Sequence, residues 1–175
     1  MHRIAAIAAL TVMILPQGAE ALPRGLEWLS IDGGKLAMDD WRGTPVLVVN
    51  TASLCGFTRQ YDDLQALHER YADRGLVVLA VPSNDFNQEL GSAAEVQEFC
   101  EMTFGLTLPM AEITPVRGTQ AHPFYRWLAD EHGFTPGWNF HKVLIGPEGE
   151  VAGTWGSATR PTSSPITDRI EALLN

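Results

Sequence analysis

One of the chain's two cysteines, Cys55, sits in "VLVVNTASLCGFTRQY", where a β-branched apolar run gives way to small residues and then to a helical pattern. A thiol at such a junction faces the amino end of a helix, whose unpaired N–H groups and partial positive charge stabilise a thiolate. Gly56 permits another molecule to approach closely, and Thr58 is positioned to cap the helix. A dithiol exchanger would need a second cysteine three positions on, and the segment reads C-G-F-T. A single activated thiol remains, suited to attack on a small electrophile. The competing reading is a buried structural cysteine, since a free thiol packs like a small hydrophobe. The local residues leave both open.

The elements that must hold Cys55 are legible from hydrophobic patterning. "TPVLVVNTA" and "LVVLAVP" are continuous apolar runs without alternation, the pattern of strands buried on both faces. Between them Tyr61, Leu64, Leu67, His68 and Tyr71 recur at helical spacing over residues 59–74, and Gly75 stops the pattern. Two buried strands joined by a helix form a right-handed βαβ unit with parallel pairing. Residues 26–31 and the return after "DGG" form a short hairpin, and Leu108 to Ile113 is expected as a further strand. Helices are expected from Ala93 to about Thr103, from Pro123 to His132 and from Ser164 to Leu174. "KVLIGPEGEVAGTW" reads as a hairpin turning at Pro147 to Gly149. The sum is α/β, a thioredoxin-like fold with a central mixed sheet flanked by helices. In such a sheet, the loop after the first central strand lies at the carboxyl edge, where reactive groups are presented.

The whole chain has 175 residues, 45% hydrophobic and 19% charged, the size of one domain. Its formal net charge of -9 repels phosphate backbones and anionic headgroups, so nucleic acid and membrane surfaces are not expected partners. The start, "MHRIAAIAALTVMILPQGAEALPRG", has basic His2 and Arg3, an apolar run from Ile4 to Leu15, and an A-x-A site ending at Ala21. This pattern marks residues 1–21 as a secretory signal and residues 22–175 as the mature domain. The apolar run falls short of the ~20 residues a membrane span requires. Export is expected, to the periplasm if the source is Gram-negative, where a cycling cysteine needs a dedicated electron source.

Four segments resemble the glutathione peroxidase family, in its cysteine-containing form. "NTASLCGFTRQYDDLQALHERY" is similar to the segment that carries the family's reactive residue, and "VPSNDFNQE" to a second loop, usually F-P-C-N-Q-F-x-x-Q-E. "AHPFYRWL" and "WNFHKVLIGPEGEV" resemble the remaining two signatures, in the same order. The resemblance runs from about Leu26 to the end and implies a catalytic tetrad of Cys55, Gln88, Trp138 and Asn139. The Gln88 and Asn139 amides and the Trp138 indole N–H are donors that stay uncharged across physiological pH. They suit a site that holds thiolate and peroxide oxygens together. The implied chemistry is thiolate attack on an O–O bond of hydrogen peroxide or an organic hydroperoxide, giving a sulfenic acid and water or an alcohol. No metal or organic cofactor is implied. Ser83 and Asp85 replace the family's usual cysteine and glutamine, and the loop is one residue shorter before Gln88. If the shorter loop re-aims Gln88, Asn84 is the fallback donor.

The resemblance also bears on reduction. Cys100, in "EVQEFCEMTFG", falls on the helix where thioredoxin-dependent members carry a resolving cysteine, so a Cys55–Cys100 disulfide is implied, with an inert thiol or a permanent disulfide as the alternatives. Disulfide geometry demands Cα atoms within ~7 Å, so the helix would have to loosen. The short segment 129–137, "ADEHGFTPG", implies a monomer with an open site, and no run of Arg or Lys flanks the motifs to clamp glutathione. A thioredoxin-like protein is the expected reductant, with glutathione second. The rivals are a peroxide sensor or redox relay, a thiol–disulfide exchanger, and a non-catalytic thiol-binding or copper-binding module. His68, His122, His132 and His141 show no ligand spacing, so no metal site is expected.

Overall fold

The computed structural model describes residues 21–175. The export signal expected over residues 1–21 therefore lies, apart from Ala21, outside the described residues.

A short hairpin opens the described chain, with β1 (Glu27–Leu29) antiparallel to β2 (Lys35–Ala37) and the turn made by Gly33 and Gly34, both at positive φ. The main sheet has the order β4-β3-β5-β6. Strand β3 (Val46–Thr51) lies at its centre, parallel to β4 (Val77–Pro82) and antiparallel to β5 (Lys142–Ile145), and β6 (Val151–Trp155) closes the far edge against β5. Helix α1 (Gln60–Tyr71) makes the crossover between β3 and β4. Helices α2 (Ala93–Phe104), α3 (Pro123–His132) and α4 (Ser164–Leu173) complete the layers. The mixed sheet flanked by helices is the thioredoxin-like arrangement expected.

Successive side chains of a strand point to opposite faces, and in β3 this divides one apolar run between two cores. Leu47 and Val49 pack with Tyr61, Leu64 and Leu67 of α1, Val96 and Cys100 of α2, and Ile166 and Ile170 of α4. Val46 and Val48 pack instead with Phe124 and Leu128 of α3 and with Trp28 and Met38 of the amino-terminal segment. Burial on both faces is why the run shows no polar alternation.

Residues 108–113 do not form the expected strand. They make single bridges, Ala111 to Ser30 and Met110 to Ala80. Pro109 has no N–H to extend a ladder, and the backbone instead alternates partners: Met110 C=O accepts from Ile31, and Ala111 N–H donates to Ala80. The other expected elements form within a few residues of their expected limits. Helix α1 starts without a side-chain cap: Arg59 occupies the cap position, and the Thr58 carbonyl rather than its hydroxyl meets the first turn, accepting from Tyr61 N–H at 2.9 Å.

The topology decides what meets at one end of the sheet. The carboxyl ends of parallel β3 and β4 and the amino end of antiparallel β5 all lie at the same edge. The loops at residues 52–59, 83–92 and 138–141 are therefore neighbours, although up to 89 positions separate them in sequence.

Candidate active site

Cys55 lies in the turn after β3 and is buried, at 4% exposure, between exposed Leu54 and exposed Gly56. Its carbonyl accepts from Thr58 N–H at 3.1 Å, which closes the turn and directs the chain into α1. Cys100 is also buried, on the inner side of α2, and the two thiols are free.

Two hydrogen bonds fasten the 83–92 loop beside the cysteine turn. Leu54 N–H donates to the Gln88 carbonyl at 2.9 Å, and Ser53 N–H donates to Glu89 Oε1 at 3.0 Å. The same Oε1 accepts from Leu90 N–H at 2.8 Å. Asn87, at φ 54°, supplies the left-handed residue that the shortened loop needs just before Gln88. The residues that depart from the family pattern have structural duties. Ser83 is buried and its hydroxyl accepts from Asp85 N–H, while Asp85 Oδ2 accepts from the backbone of Val116 and Arg117 at 2.6 and 3.0 Å. Asn84 is exposed and its side-chain oxygen accepts from Glu89 N–H. It is tied into the loop's own geometry, and Gln88 is the amide turned to the third segment.

That third segment is held by Asn50, at the end of β3. Its Nδ2 donates to the Trp138 carbonyl at 2.9 Å, its Oδ1 accepts from His141 N–H at 3.1 Å, and its carbonyl accepts from Phe140 N–H at 2.5 Å. Phe140 takes a positive φ of 60°, a rare conformation for a bulky residue. This clamp delivers Asn139, fully buried, so that its Nδ2 donates to Gln88 Oε1 at 3.1 Å. With its oxygen so engaged, the Gln88 NH2 remains available to donate. Trp138 is 40% exposed and packs on Phe86 of the neighbouring loop, ring centroids 5.2 Å apart. The structure thus joins Gln88 to Asn139 directly and to the Cys55 turn through the backbone, with Trp138 forming an exposed wall.

Beneath this edge lies a buried polar network. Lys142, wholly buried at the start of β5, donates to Gln60 Oε1 at 2.6 Å and to the Thr159 carbonyl at 2.5 Å. Gln60 Nε2 donates to the Ser157 carbonyl, and the Ser157 hydroxyl donates to the Asn139 carbonyl, both at 2.6 Å. Burial pulls the Lys142 ammonium down to about 8, against a small opposing pull from Asp63. Asp63 itself receives both guanidinium arms of Arg160, at 2.9 and 2.7 Å. Arg160 and Arg59 flank an open cavity of about 460 Å³ that begins at Gly56 and Phe57. The fold therefore brings two arginines close to the cysteine turn that are 101 positions apart in sequence.

Two further groups titrate unusually. Burial pushes the Cys100 thiol up to about 12, partly offset by the neighbouring Tyr61 hydroxyl. Burial also raises the Glu89 carboxyl above its ordinary range, opposed by its bonds to Ser53 and Leu90. Among the described residues, no three His, Cys, Asp or Glu side chains are grouped to hold a metal ion.

Sequence reasoning did not single out Asn50, Glu89 or Lys142 as part of the site. Each carried a signal: an amide ending a run of buried aliphatics, an acid paired with Gln88, and a cation opening an apolar strand.

The family model for glutathione peroxidase matches residues 25–129. The hydroperoxy fatty acid reductase gpx1 of Synechocystis sp. is 40% identical over 159 residues, covering 83% of this chain and 91% of that protein. The glutathione peroxidase-like peroxiredoxin HYR1 of Saccharomyces cerevisiae is 38% identical over 148 residues, covering 81% and 90%. A thioredoxin-family thiol:disulfide interchange protein from Chlorobium tepidum superposes with a TM-score of 0.65 at 17% identity, over 90% of this chain and 99% of its own. That last likeness is one of fold alone.

Proposed function

The chain belongs to the glutathione peroxidase family, and on that premise, which makes it a thiol-dependent peroxidase acting on hydroperoxides, we propose that Cys55 is the attacking thiolate and Cys100 the resolving thiol. The observation that carries this reading is that a backbone bond from Leu54, next to Cys55, to the Gln88 carbonyl and an amide bond from Asn139 to Gln88 bring the Gln88 loop and the Asn139 segment beside the turn of one buried thiol. Cys55 attacks the proximal peroxide oxygen, the O–O bond breaks, and water or an alcohol leaves while Cys55 becomes a sulfenic acid. The Gln88 and Asn139 amides and the Trp138 indole stabilise the charge developing on the oxygens. Cys100 then condenses with the sulfenic acid to a disulfide.

A thioredoxin-like protein is our choice of reductant. The relative in yeast bears the name peroxiredoxin, and an intramolecular disulfide is the substrate of dithiol exchange. Fatty acid hydroperoxides are within reach as substrates, as the name of the Synechocystis relative indicates for that protein and as the exposed apolar Leu54 and Trp138 at the rim would accommodate. Residues 1–21 act in this reading as a cleaved export signal, and residues 22–175 as a monomeric enzyme in an oxidising compartment.

The test is a single turnover: reduced protein is mixed with one equivalent of hydrogen peroxide and its cysteine products are mapped by mass spectrometry. Rapid formation of a Cys55–Cys100 disulfide supports the scheme. A persistent sulfenic acid at Cys55 removes Cys100 from it and favours glutathione or a relay role, and an unreacted Cys55 removes the peroxidase assignment of that thiol.

A further inference from the structure

We propose that Lys142 is a positioning residue of the peroxidase site, a buried cation that fixes the Cys55 turn and the Asn139 segment relative to each other through Gln60 and Ser157. The proposal rests on the reading of Cys55 as the attacking thiolate and Asn139 as one of its donors, and adds to it residues outside the tetrad.

A lysine so placed is costly. Lys142 is wholly covered at the start of β5, and among the described residues it makes no ion pair. The Asp63 carboxylate is taken by both arms of Arg160. A buried charge without an opposite charge beside it costs stability, and an apolar side chain of the same length would fill the space without that cost. What the ammonium alone supplies is three donors on one atom. They meet Gln60 Oε1 at 2.6 Å and the Thr159 carbonyl at 2.5 Å, with the Gly156 and Ser157 carbonyls each at 3.4 Å.

These acceptors lead to the two halves of the site. Gln60 opens α1, and its backbone N–H donates to the Phe57 carbonyl at 2.8 Å, inside the turn closed by the bond from Thr58 N–H to the Cys55 carbonyl. The 156–159 segment leads to the other half. Gln60 Nε2 donates to the Ser157 carbonyl and the Ser157 hydroxyl donates to the Asn139 carbonyl, both at 2.6 Å. Asn139 Nδ2 in turn reaches Gln88 Oε1 at 3.1 Å. A continuous series of hydrogen bonds therefore joins the turn that holds the thiol to the amide pair that serves it, and Lys142 stands at its branch point. The cation also sets the direction of the series: it holds the Gln60 oxygen toward itself, which leaves the Gln60 NH2 facing Ser157. Asn50 secures the Asn139 segment to β3, whereas Lys142 secures it to the helix that follows Cys55. With an apolar residue at position 142, Gln60 Oε1 and the Thr159 carbonyl lose their partner, and the platform under Asn139 is released. Placement of reacting groups bears steeply on rate, about 10²-fold for a shift of about 1 Å.

The test is the second-order rate constant of Cys55 oxidation by hydrogen peroxide, read by stopped-flow, beside the urea midpoint of each variant. Lys142→Met keeps the length of the side chain and removes the donors. Ser157→Ala removes only the hydroxyl, and Ser157→Thr retains it. Lys142→Met and Ser157→Ala should each slow oxidation about tenfold, with Ser157→Thr within about twofold of wild type. The double variant Lys142→Met/Ser157→Ala should be no slower than Lys142→Met, because both cuts fall on one path, whereas independent effects would multiply. A wild-type rate in Lys142→Met or in Ser157→Ala overturns the proposal. A multiplied loss in the double variant overturns it too, as does a loss in Ser157→Ala that Ser157→Thr does not restore, since either would be a general loosening of the fold. Should Lys142→Met fail to fold, the two Ser157 variants decide alone. Asn139→Ala tests the reading beneath: a wild-type rate there would remove Asn139 as a donor, and a wild-type Cys55 that peroxide leaves unoxidised would remove the thiolate assignment, both seen without the Lys142 and Ser157 variants.

Discussion

At the scale of single residues, the site depends on groups that never touch peroxide. Cys55→Ser should abolish peroxide consumption, measured by the disappearance of hydrogen peroxide under excess reductant, and retained consumption would exclude Cys55 as nucleophile. Asn50 makes a sharper case. It bonds both flanks of the Trp138 to His141 segment and is buried. Removing it strands the Trp138 carbonyl and the His141 N–H, a loss of about 1–3 kcal/mol for buried groups left unmade. Asn50→Ala should lower the urea midpoint accordingly and slow Cys55 oxidation at least tenfold through misplaced Asn139, read by stopped-flow. A stable variant with unchanged oxidation rate would show that the clamp does not position the amide. These roles were partly legible: Cys55 stood out from its neighbours in sequence, whereas Asn50 declares itself only when its partners, 88 and 91 positions away, are in place.

At the scale of elements, Lys142 joins the start of β5 to the start of α1 and to the 156–159 segment. Its folded pKa of about 8 lies below the ordinary lysine value of 10.5. Below pH 8 both folded and unfolded chains hold the proton, and the full cost of burying the charge is present. Between about pH 8 and 10.5 the unfolded chain binds more protons, so this residue's contribution to stability rises with pH. Lys142→Met removes that dependence. The difference in urea midpoint between wild type and Lys142→Met should move in favour of wild type as pH rises from 7.5 to 10, and a constant difference would contradict a buried, shifted lysine. Taking the difference matters because Tyr61, Tyr71 and Tyr125, raised by burial, pull stability the opposite way at high pH. The helices and the β5–β6 hairpin were legible because hydrophobic period and punctuation are local. Residues 108–113 were misread as a strand because their composition suits one, while Pro109 and the partners on either side limit them to isolated bridges.

For the whole molecule, the proposed Cys55–Cys100 disulfide predicts a change of shape during turnover. Cys100 belongs to the same buried core cluster as Tyr61 and sits within α2, whose carbonyl at Cys100 accepts from Gly105 and Leu106 at the carboxyl cap. In the proposed scheme α2 gives way to let the Cys100 sulfur bond to Cys55. Hydrogen exchange should therefore show residues 93–104 protected in the reduced protein and open in the disulfide form, with the β3 and β4 amides protected in both. Cys100→Ser should keep the first oxidation, lose turnover with a thioredoxin-like donor, and show no opening of α2 on peroxide treatment. Equal protection of α2 in both redox states would mean that the disulfide forms without the helix moving.

The sequence by itself determined which cysteine stands where a buried strand gives way to a helix and the βαβ frame that carries it to a sheet edge, because these follow from local periodicity and breakers, while the residues alone left a reactive and a structural thiol equally open. Family resemblance named Gln88, Trp138 and Asn139 as the partners of Cys55. Only the tertiary structure decided how those partners meet: strand order places the ends of β3 and β4 and the start of β5 together, Asn50 ties one loop, and Glu89 ties another. It also brought Arg160 and Arg59 to one cavity near Cys55, where the chain order had shown no basic cluster. The physical reason is the same in each case. Burial and hydrogen-bond partners are properties of neighbours in space, and in this fold the decisive neighbours come from strands paired across long crossovers.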